Sequence, residues 1–367
     1  MKICFINNRY GVNSRGGTEK IIETLTAELV ARGNQVTIIC GSYDSKPEEA
    51  VNGVHIIYVA STYQKHEGWP LWRRLFSHIF GFINIASFLR FKKIVHKERY
   101  DLIWTHNVTG FGLILLLALG KAHQLHTFHD IQFLHPSGLL LYKQEKKLDT
   151  FIARVYRTLI SFYFNKNIIG IFPSQWLLDL HKKYGFDGPK TIHLVNPIHI
   201  DPTVKAVANG PDFLFVGQIE AHKGVELLLE SFQALSSNET TLWIVGEGSL
   251  KESLAKKYSN ENIKFLGKVD SPLAIIKSAQ CLVVPSLCYE NFPTVILEAQ
   301  SLNTLVIGSR LGGIIEAIDN PELTFIPEEL ACLKILEKVE QEHTNLHNKK
   351  MDLVSPSLYL DQIEKFI

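Results

Sequence analysis

The chain has 367 residues, 46% hydrophobic and 20% charged, a composition that suits a globular protein and excludes wholesale disorder. The length favours two domains. The net charge of +1 conceals an asymmetry: residues 1–195 hold 24 Lys+Arg against 14 Asp+Glu, and residues 196–367 hold 14 against 23. A basic half suits anionic surfaces such as lipid head groups or phosphates, while opposite charges also help two halves dock; the count by itself leaves both readings open. The five cysteines, Cys4, Cys40, Cys281, Cys288 and Cys332, show no C-x-x-C spacing. Three of them lie in apolar, strand-like runs, as reduced core thiols do, so neither a metal nor a redox site is expected.

Residues 1–8 read as a first strand rather than a signal peptide, having no long apolar region and no small-residue cleavage site. The most apolar stretches, 79–91 and 111–119, fall short of the ~20 residues a spanning helix needs. Strands are predicted at 2–7, 36–40, 55–58 and 102–105, with a helix over 18–32 whose apolar residues Ile21, Ile22, Leu25, Leu29 and Val30 keep helical spacing and which stops at Gly33. Further strands follow at 125–128 and 168–172. A polar, turn-rich stretch after Asn196-Pro197 marks a domain boundary near 196. The alternation then restarts, with strands at 212–216, 241–245, 263–266, 281–284 and 305–307 and helices at 225–235, 250–258, 272–278 and 293–302. Residues 355–367 form an amphipathic helix expected to pack back on the first domain, which leaves 1–195 and 196–354 as the two domains. Two α/β domains in tandem, each a Rossmann-like doubly wound parallel sheet, are the expected architecture.

The absent motifs narrow the chemistry. No G-x-G-x-x-G follows the first strand, no G-x-x-x-x-G-K-[ST] occurs, and no Cys/His cluster suggests zinc. What is present lies at strand ends. Gly16-Gly17 precede a helix, where backbone amides and the helix N-terminus favour an anion, although such a loop is also an ordinary tight turn. Lys223-Gly224 follow a strand and precede a helix, a grip for a diphosphate or simply a solvated loop. Glu290 falls in the loop after strand 281–284, and Glu298 lies in the helix that follows. The amides of Asn291, Phe292, Pro293, Thr294 and Val295 crowd that helix start, proline contributing backbone but no N–H. An anion site flanked by two carboxylates suits a ligand with both phosphates and hydroxyls.

In these segments the sequence resembles the retaining GT-B glycosyltransferases of glycosyltransferase family 4. The resemblance rests on Gly217 with Lys223-Gly224, on 242–248 (LWIVGEG), on Glu290-x7-Glu298 with Asn291-Phe292-Pro293, on Gly16-Gly17-x-Glu19, on Phe128-His129-Asp130 and on 171–175 (IFPSQ). It covers nearly the whole chain in order, and the combination is specific where the single pieces are not. It implies two Rossmann-like domains facing a central cleft and transfer of a hexose from a nucleotide-sugar with retention. Glu290 would bind donor-sugar hydroxyls, the backbone of 291–295 the sugar and phosphate, Glu298 the ribose, and Lys223 the departing diphosphate. Gly16-Gly17 would close over that diphosphate, and His129 would lie near donor and acceptor. No cofactor or metal is implied. Two departures stand out. Gln218 occupies the place of a frequent second cation, arginine, and 302–305 (LNTL) replaces a Gly-x-Pro turn.

For the acceptor, residues 69–93 combine Trp69, Trp72, Arg73, Arg74, Arg90, Lys92 and Lys93, and 154–166 form a second aromatic–basic stretch. Both suit an interfacial helix on an anionic membrane, or alternatively aromatic packing inside the domain. The expectation is a cytoplasmic enzyme, peripheral on the inner face of the cell membrane, acting on a saccharide or lipid-linked acceptor in polysaccharide or glycolipid synthesis. No recognised nucleic-acid module occurs. The competing readings are a sugar-nucleotide epimerase and a weakened member that only binds donor.

Overall fold

The computed structural model describes residues 1–11, 16–42, 48–61, 84–120, 122–163, 168–186, 190–201, 203–235, 239–342, 345–349 and 352–367. Most of the 69–93 stretch therefore lies outside the described residues. The chain divides into two compact units, one of residues 1–138, 146–197 and 354–367, the other of 139–145 and 198–353.

The first unit holds strands β1 (Lys2–Ile6), β2 (Gln35–Ser42), β3 (Glu48–Val51), β4 (Val54–Ala60), β5 (Leu102–Thr105), β6 (His123–Thr127), β7 (Ile168–Phe172) and β8 (Thr191–His193). Their order is β3-β4-β2-β1-β5-β6-β7-β8, all parallel except the β3–β4 hairpin. Its helices are α1 (Gly17–Ala31), α2 (Ile85–Glu98), α3 (Phe151–Tyr163) and α4 (Gln175–Lys183). The second unit holds β9 (Phe213–Val216), β10 (Leu242–Val245), β11 (Ile263–Gly267), β12 (Cys281–Val284), β13 (Leu305–Ser309) and β14 (Thr324–Phe325). Between and after them run α5 (Val225–Gln233), α6 (Lys251–Tyr258), α7 (Leu273–Ser278), α8 (Thr294–Ser301), α9 (Gly313–Ile318) and α10 (Glu329–Glu342). The last helix, α11 (Pro356–Glu364), belongs to the first unit.

The second sheet runs β11-β10-β9-β12-β13-β14, all parallel. Chain order therefore reverses between β9 and β12, and the crevice at the carboxyl ends of such a pair is where open α/β sheets bind ligands. The first sheet reverses between β1 and β5 in the same way. Its two loops are stitched there: the Asn8 amide donates to the Asn107 carbonyl at 2.7 Å, and the Asn107 amide to the Asn7 side chain at 3.0 Å.

Residues 139–145 correct the simple two-segment division. They leave the first unit because their backbone bonds to the second: Tyr142 N–H donates to the Leu287 carbonyl at 2.8 Å and Tyr289 N–H to the Leu140 carbonyl at 2.9 Å. All five cysteines are free and buried. Of the aromatic–basic segments, Phe91 is fully buried against Phe111, so at that position the aromatic does pack the core. The 302–305 departure is a turn, with Asn303 at φ 59°, a left-handed conformation that asparagine tolerates.

The C-terminal helix is tied to the core by apolar and polar contacts. Tyr359, Leu360 and Ile363 are buried with Ile22 and Leu25 of α1, and the Tyr359 ring stacks on Trp104 at 6.2 Å. Arg32, just past α1, reaches Asp361 at 2.8 Å and the Ser357 carbonyl at 2.8 Å. Burial of so large a ring dominates this docking, since the ion pairs are partly exposed. Tyr359→Ala is expected to destabilise the first unit by about 3 kcal/mol, in the range for truncating buried aromatics. Chemical unfolding read out by tryptophan fluorescence checks this, and an unchanged midpoint would refute it.

Candidate functional site

At the β9/β12 reversal, the loop after β9 folds into a short 3-10 turn, Ala221–Lys223, ended by Gly224 at φ 70°. A side chain at Gly224 would place its Cβ 1.9 Å from the Pro285 carbonyl oxygen, so only glycine lets this loop lie against the one after β12. The Leu287 amide donates to the His222 carbonyl at 2.9 Å and locks the two loops together. Lys223 is thereby brought to Glu290: Nζ lies 2.5 Å from Oε1, with the two side chains 25% and 17% exposed. Ser286 Oγ donates to the same Oε1 at 2.9 Å, and Cys288 Sγ approaches it at 3.7 Å. Burial alone would raise the Glu290 carboxyl, but the Lys223 charge and these hydrogen bonds outweigh it and hold it below its ordinary value. Burial pulls the Lys223 ammonium down, and the Glu290 charge more than restores it.

Oε1 gathers these contacts, and Oε2 takes no hydrogen bond from any described residue. One of the three Lys223 N–H bonds is spent on Glu290. The backbone of Glu290 is held from behind: the Gly313 amide donates to its carbonyl at 2.9 Å, and a Cβ at Gly312 (φ 54°) would stand 2.4 Å from that oxygen. Asn291 and Phe292 are buried beside it. Pro293 caps α8, so the amides of Thr294 and Val295 open the helix with no carbonyl one turn back to receive them. Glu298 is 5% exposed on the same helix. Gln218, two residues past the end of β9, is half-buried.

The first unit brings together other candidates. His129, after β6, shares a 2.8 Å hydrogen bond from Nε2 to Nδ1 of His106, which follows β5. His106 stacks between Trp104 and His129, and its Nε2 is buried without a partner among the described residues. His126 is held through Thr105: its Nδ1 lies 2.8 Å from Thr105 Oγ1, which also donates to the Leu125 carbonyl at 3.0 Å. His106, Asn107, His126, His129 and Asp130 line a small recess at the strand ends.

The Gly16-Gly17 expectation needs one correction. The Gly16 amide is already taken by the Glu19 carboxylate at 3.0 Å, a helix-capping contact, so Gly16 does not offer that donor to an anion. Gly16 sits at φ −150°, where any residue is comfortable, and a Cβ there would meet only Glu19 Oε2 at 3.5 Å. The fold does not require glycine at this position.

Ser286 and His106 were not among the residues singled out from sequence. Both carried a signal: Ser286 lies four residues before Glu290, just past the apolar strand β12, and His106 directly follows the apolar strand β5.

The family description "Glycosyltransferase Family 4" matches residues 15–201, and "Glycosyl transferases group 1" matches residues 210–337. The chain belongs to glycosyltransferase family 4; it is a glycosyltransferase built as two parallel-sheet α/β units of the GT-B type. An uncharacterized 42.6 kDa protein in the cps region of Klebsiella pneumoniae is 24% identical over 86% of this chain and 87% of its own length. The Escherichia coli UDP-Gal:alpha-D-GlcNAc-diphosphoundecaprenol alpha-1,3-galactosyltransferase is 27% identical over 63% of each chain. The crystal structure of Anabaena HepE in complex with UDP-glucose superposes with a TM-score of 0.72 over 100% of this chain and 99% of that one, at 14% identity.

The buried histidines set an acid limit on stability. Burial pushes His129 and His181 down to about 4, and His106 and His126 well below their ordinary 6.5. Unfolding restores all four, so the unfolded chain binds more protons below about pH 6.5, and stability present above that pH is lost as pH falls towards 4. Asp130, raised to about 6 by burial, opposes this over the same range, one group against four. The melting temperature is expected to be lower at pH 5 than at pH 7.5, with a smaller fall in His181→Leu. Equal melting temperatures at both pH values would contradict this.

Proposed function

We propose that the enzyme moves a hexose from a nucleotide-sugar to a saccharide or lipid-linked acceptor, with retention of configuration, in cell-surface polysaccharide or glycolipid synthesis. The observation that carries the reading is the division of labour at Glu290. Lys223 and Ser286 hold Oε1, and Oε2 is left to accept from a sugar hydroxyl. A neighbouring helix start offers amides, and Lys223 keeps two N–H donors for phosphate. Buried Glu298 supplies a second acceptor, for ribose hydroxyls. The UDP-glucose bound by HepE and the diphosphoundecaprenol acceptor named for the E. coli relative support a nucleotide-sugar donor and a lipid-linked acceptor. The neighbouring cps-region relative supports the polysaccharide setting.

In the proposed step the bond from the anomeric carbon to the diphosphate oxygen breaks. The acceptor oxygen bonds to that carbon on the same face, and the acceptor proton passes to the departing diphosphate. Lys223 and the amides of Thr294 and Val295 stabilise the charge that develops on the leaving group, so no metal ion is required. His129, neutral at physiological pH, orients a hydroxyl rather than supplying charge. Gly16 and Gly17 allow close approach of the diphosphate, which explains a glycine that the fold does not need. The reaction belongs to the cytoplasmic side, where nucleotide-sugars are available. Gln218 brings hydrogen bonds without charge and lowers the rate relative to arginine.

Two variants test the assignment. Lys223→Ala is expected to lower kcat by about 10²–10³ while the protein stays folded, the loss typical of one preorganised charge-stabilising donor. Gly16→Ala should leave the melting temperature unchanged and raise the donor KM about tenfold, because the added methyl holds the diphosphate back from the loop. Steady-state kinetics checks both. Full activity in Lys223→Ala would remove the proposed role.

A further inference from the structure

Helix α3 carries more apolar surface than its fold uses. Ala153, Tyr156 and Ile160 are buried on one side. Phe151, Ile152, Val155 and Leu159 form a second apolar strip, about 100° wide at 100° per residue, and are 79%, 73%, 43% and 47% exposed. The exposed Arg154 and Thr158 occupy the remaining arc. A helix in a water-facing position would carry polar side chains on that strip, and Phe151 and Ile152 are the most exposed large hydrophobics of the described chain.

The elements packed nearby expose apolar side chains as well. The 3-10 helix Leu113–Ala118 packs against both α2 and α3, and it exposes Leu117 at 56%. On α2, Ile85 and Leu89 are each 59% exposed while Phe91 and Val95 turn inward. The charges around these residues are of one sign for the most part. Lys146 and Lys147 are exposed in the turn leading into α3, and Lys92, Lys93 and Lys97 are exposed on α2. Segment 151–163 contains no acidic residue, and Asp149 just before it accepts a hydrogen bond from Tyr184 at 3.0 Å.

We infer that the α2–α3 side of the first unit is a membrane-docking surface, with α3 lying in the interface of an anionic bilayer and Phe151 and Ile152 inserted among the acyl chains. A bilayer fits better than a protein partner because its two requirements, apolar insertion and anionic attraction, are met together: apolar side chains on three elements, framed by lysine and arginine. This surface has no part in holding the donor, so it stands or falls separately from the transferase reading, and it gives that reading's lipid-linked acceptor a place to be met.

The test is co-sedimentation of the full chain with vesicles of phosphatidylglycerol and phosphatidylcholine, against phosphatidylcholine alone, at low and raised salt. The native chain is expected to bind the anionic vesicles in a salt-sensitive way, and Phe151→Ser with Ile152→Ser to lower the partition coefficient at least tenfold with an unchanged melting temperature. Lys146→Glu with Lys147→Glu should lower it specifically on anionic vesicles. If the serine variant proves unstable, Phe151→Trp gives a second measurement: its added emission should shift to the blue on anionic vesicles. Absence of native binding, equal binding by the variants, no blue shift, or a concentration-dependent dimer abolished by the serine variant without vesicle binding would each overturn the proposal.

Discussion

The ion pair between Lys223 and Glu290 is the constraint on which the second unit's site depends. The two residues are 67 positions apart and meet because chain order reverses between β9 and β12. Two glycines make the meeting feasible, Gly224 by letting its loop touch Pro285 and Gly312 by letting α9 close on the Glu290 backbone. With both side chains mostly buried, neither charge would be comfortable alone, and each sets the other's protonation state. The pair thus presents a fixed cation and a fixed acceptor oxygen without further rearrangement, the preorganisation that electrostatic catalysis needs.

The first unit applies the same topological device with different chemistry. Its reversal between β1 and β5 is stitched by Asn7 and Asn107, and a chain of stacked rings, Phe5, Trp104, His106 and His129, leads from the core to the strand ends. Trp104 also supports Tyr359 of α11 and donates to Thr127 at 2.8 Å, so the position of His106 is set by the same packing that docks the C-terminal helix. Both histidines are held well below their ordinary 6.5 by burial and are neutral near pH 7. They suit orientation of a hydroxyl better than carriage of charge.

The central strands were legible from sequence because they are continuous apolar runs, as buried parallel strands must be, and the helices between them kept a clear apolar period. Some of the elements missed carry no such signal, whereas α10 keeps a helical apolar period in Cys332, Ile335, Leu336 and Val339. β3 (Glu48–Val51) is a mostly exposed edge strand containing two glutamates, and β14 is two residues long. Helices α4, α9 and α10 were not drawn out; α9 opens on glycines and has six residues. Glu290 and Glu298 were legible through their motif, yet the pairing of Glu290 with Lys223 was not, since each alone reads as a solvated side chain. The capping of Gly16 by Glu19 was hidden because Gly-Gly-x-Glu fits a ligand loop and a capping motif equally well.

The most direct measurement of the central claim, that the β9/β12 crevice holds a nucleotide-sugar, is the melting temperature of the full chain with UDP-, GDP-, ADP- and dTDP-sugars, beside Glu298→Ala. The account predicts a clear rise with one nucleotide class that is lost in the variant. An equal rise in Glu298→Ala, or no rise with any donor at saturating concentration, would contradict it.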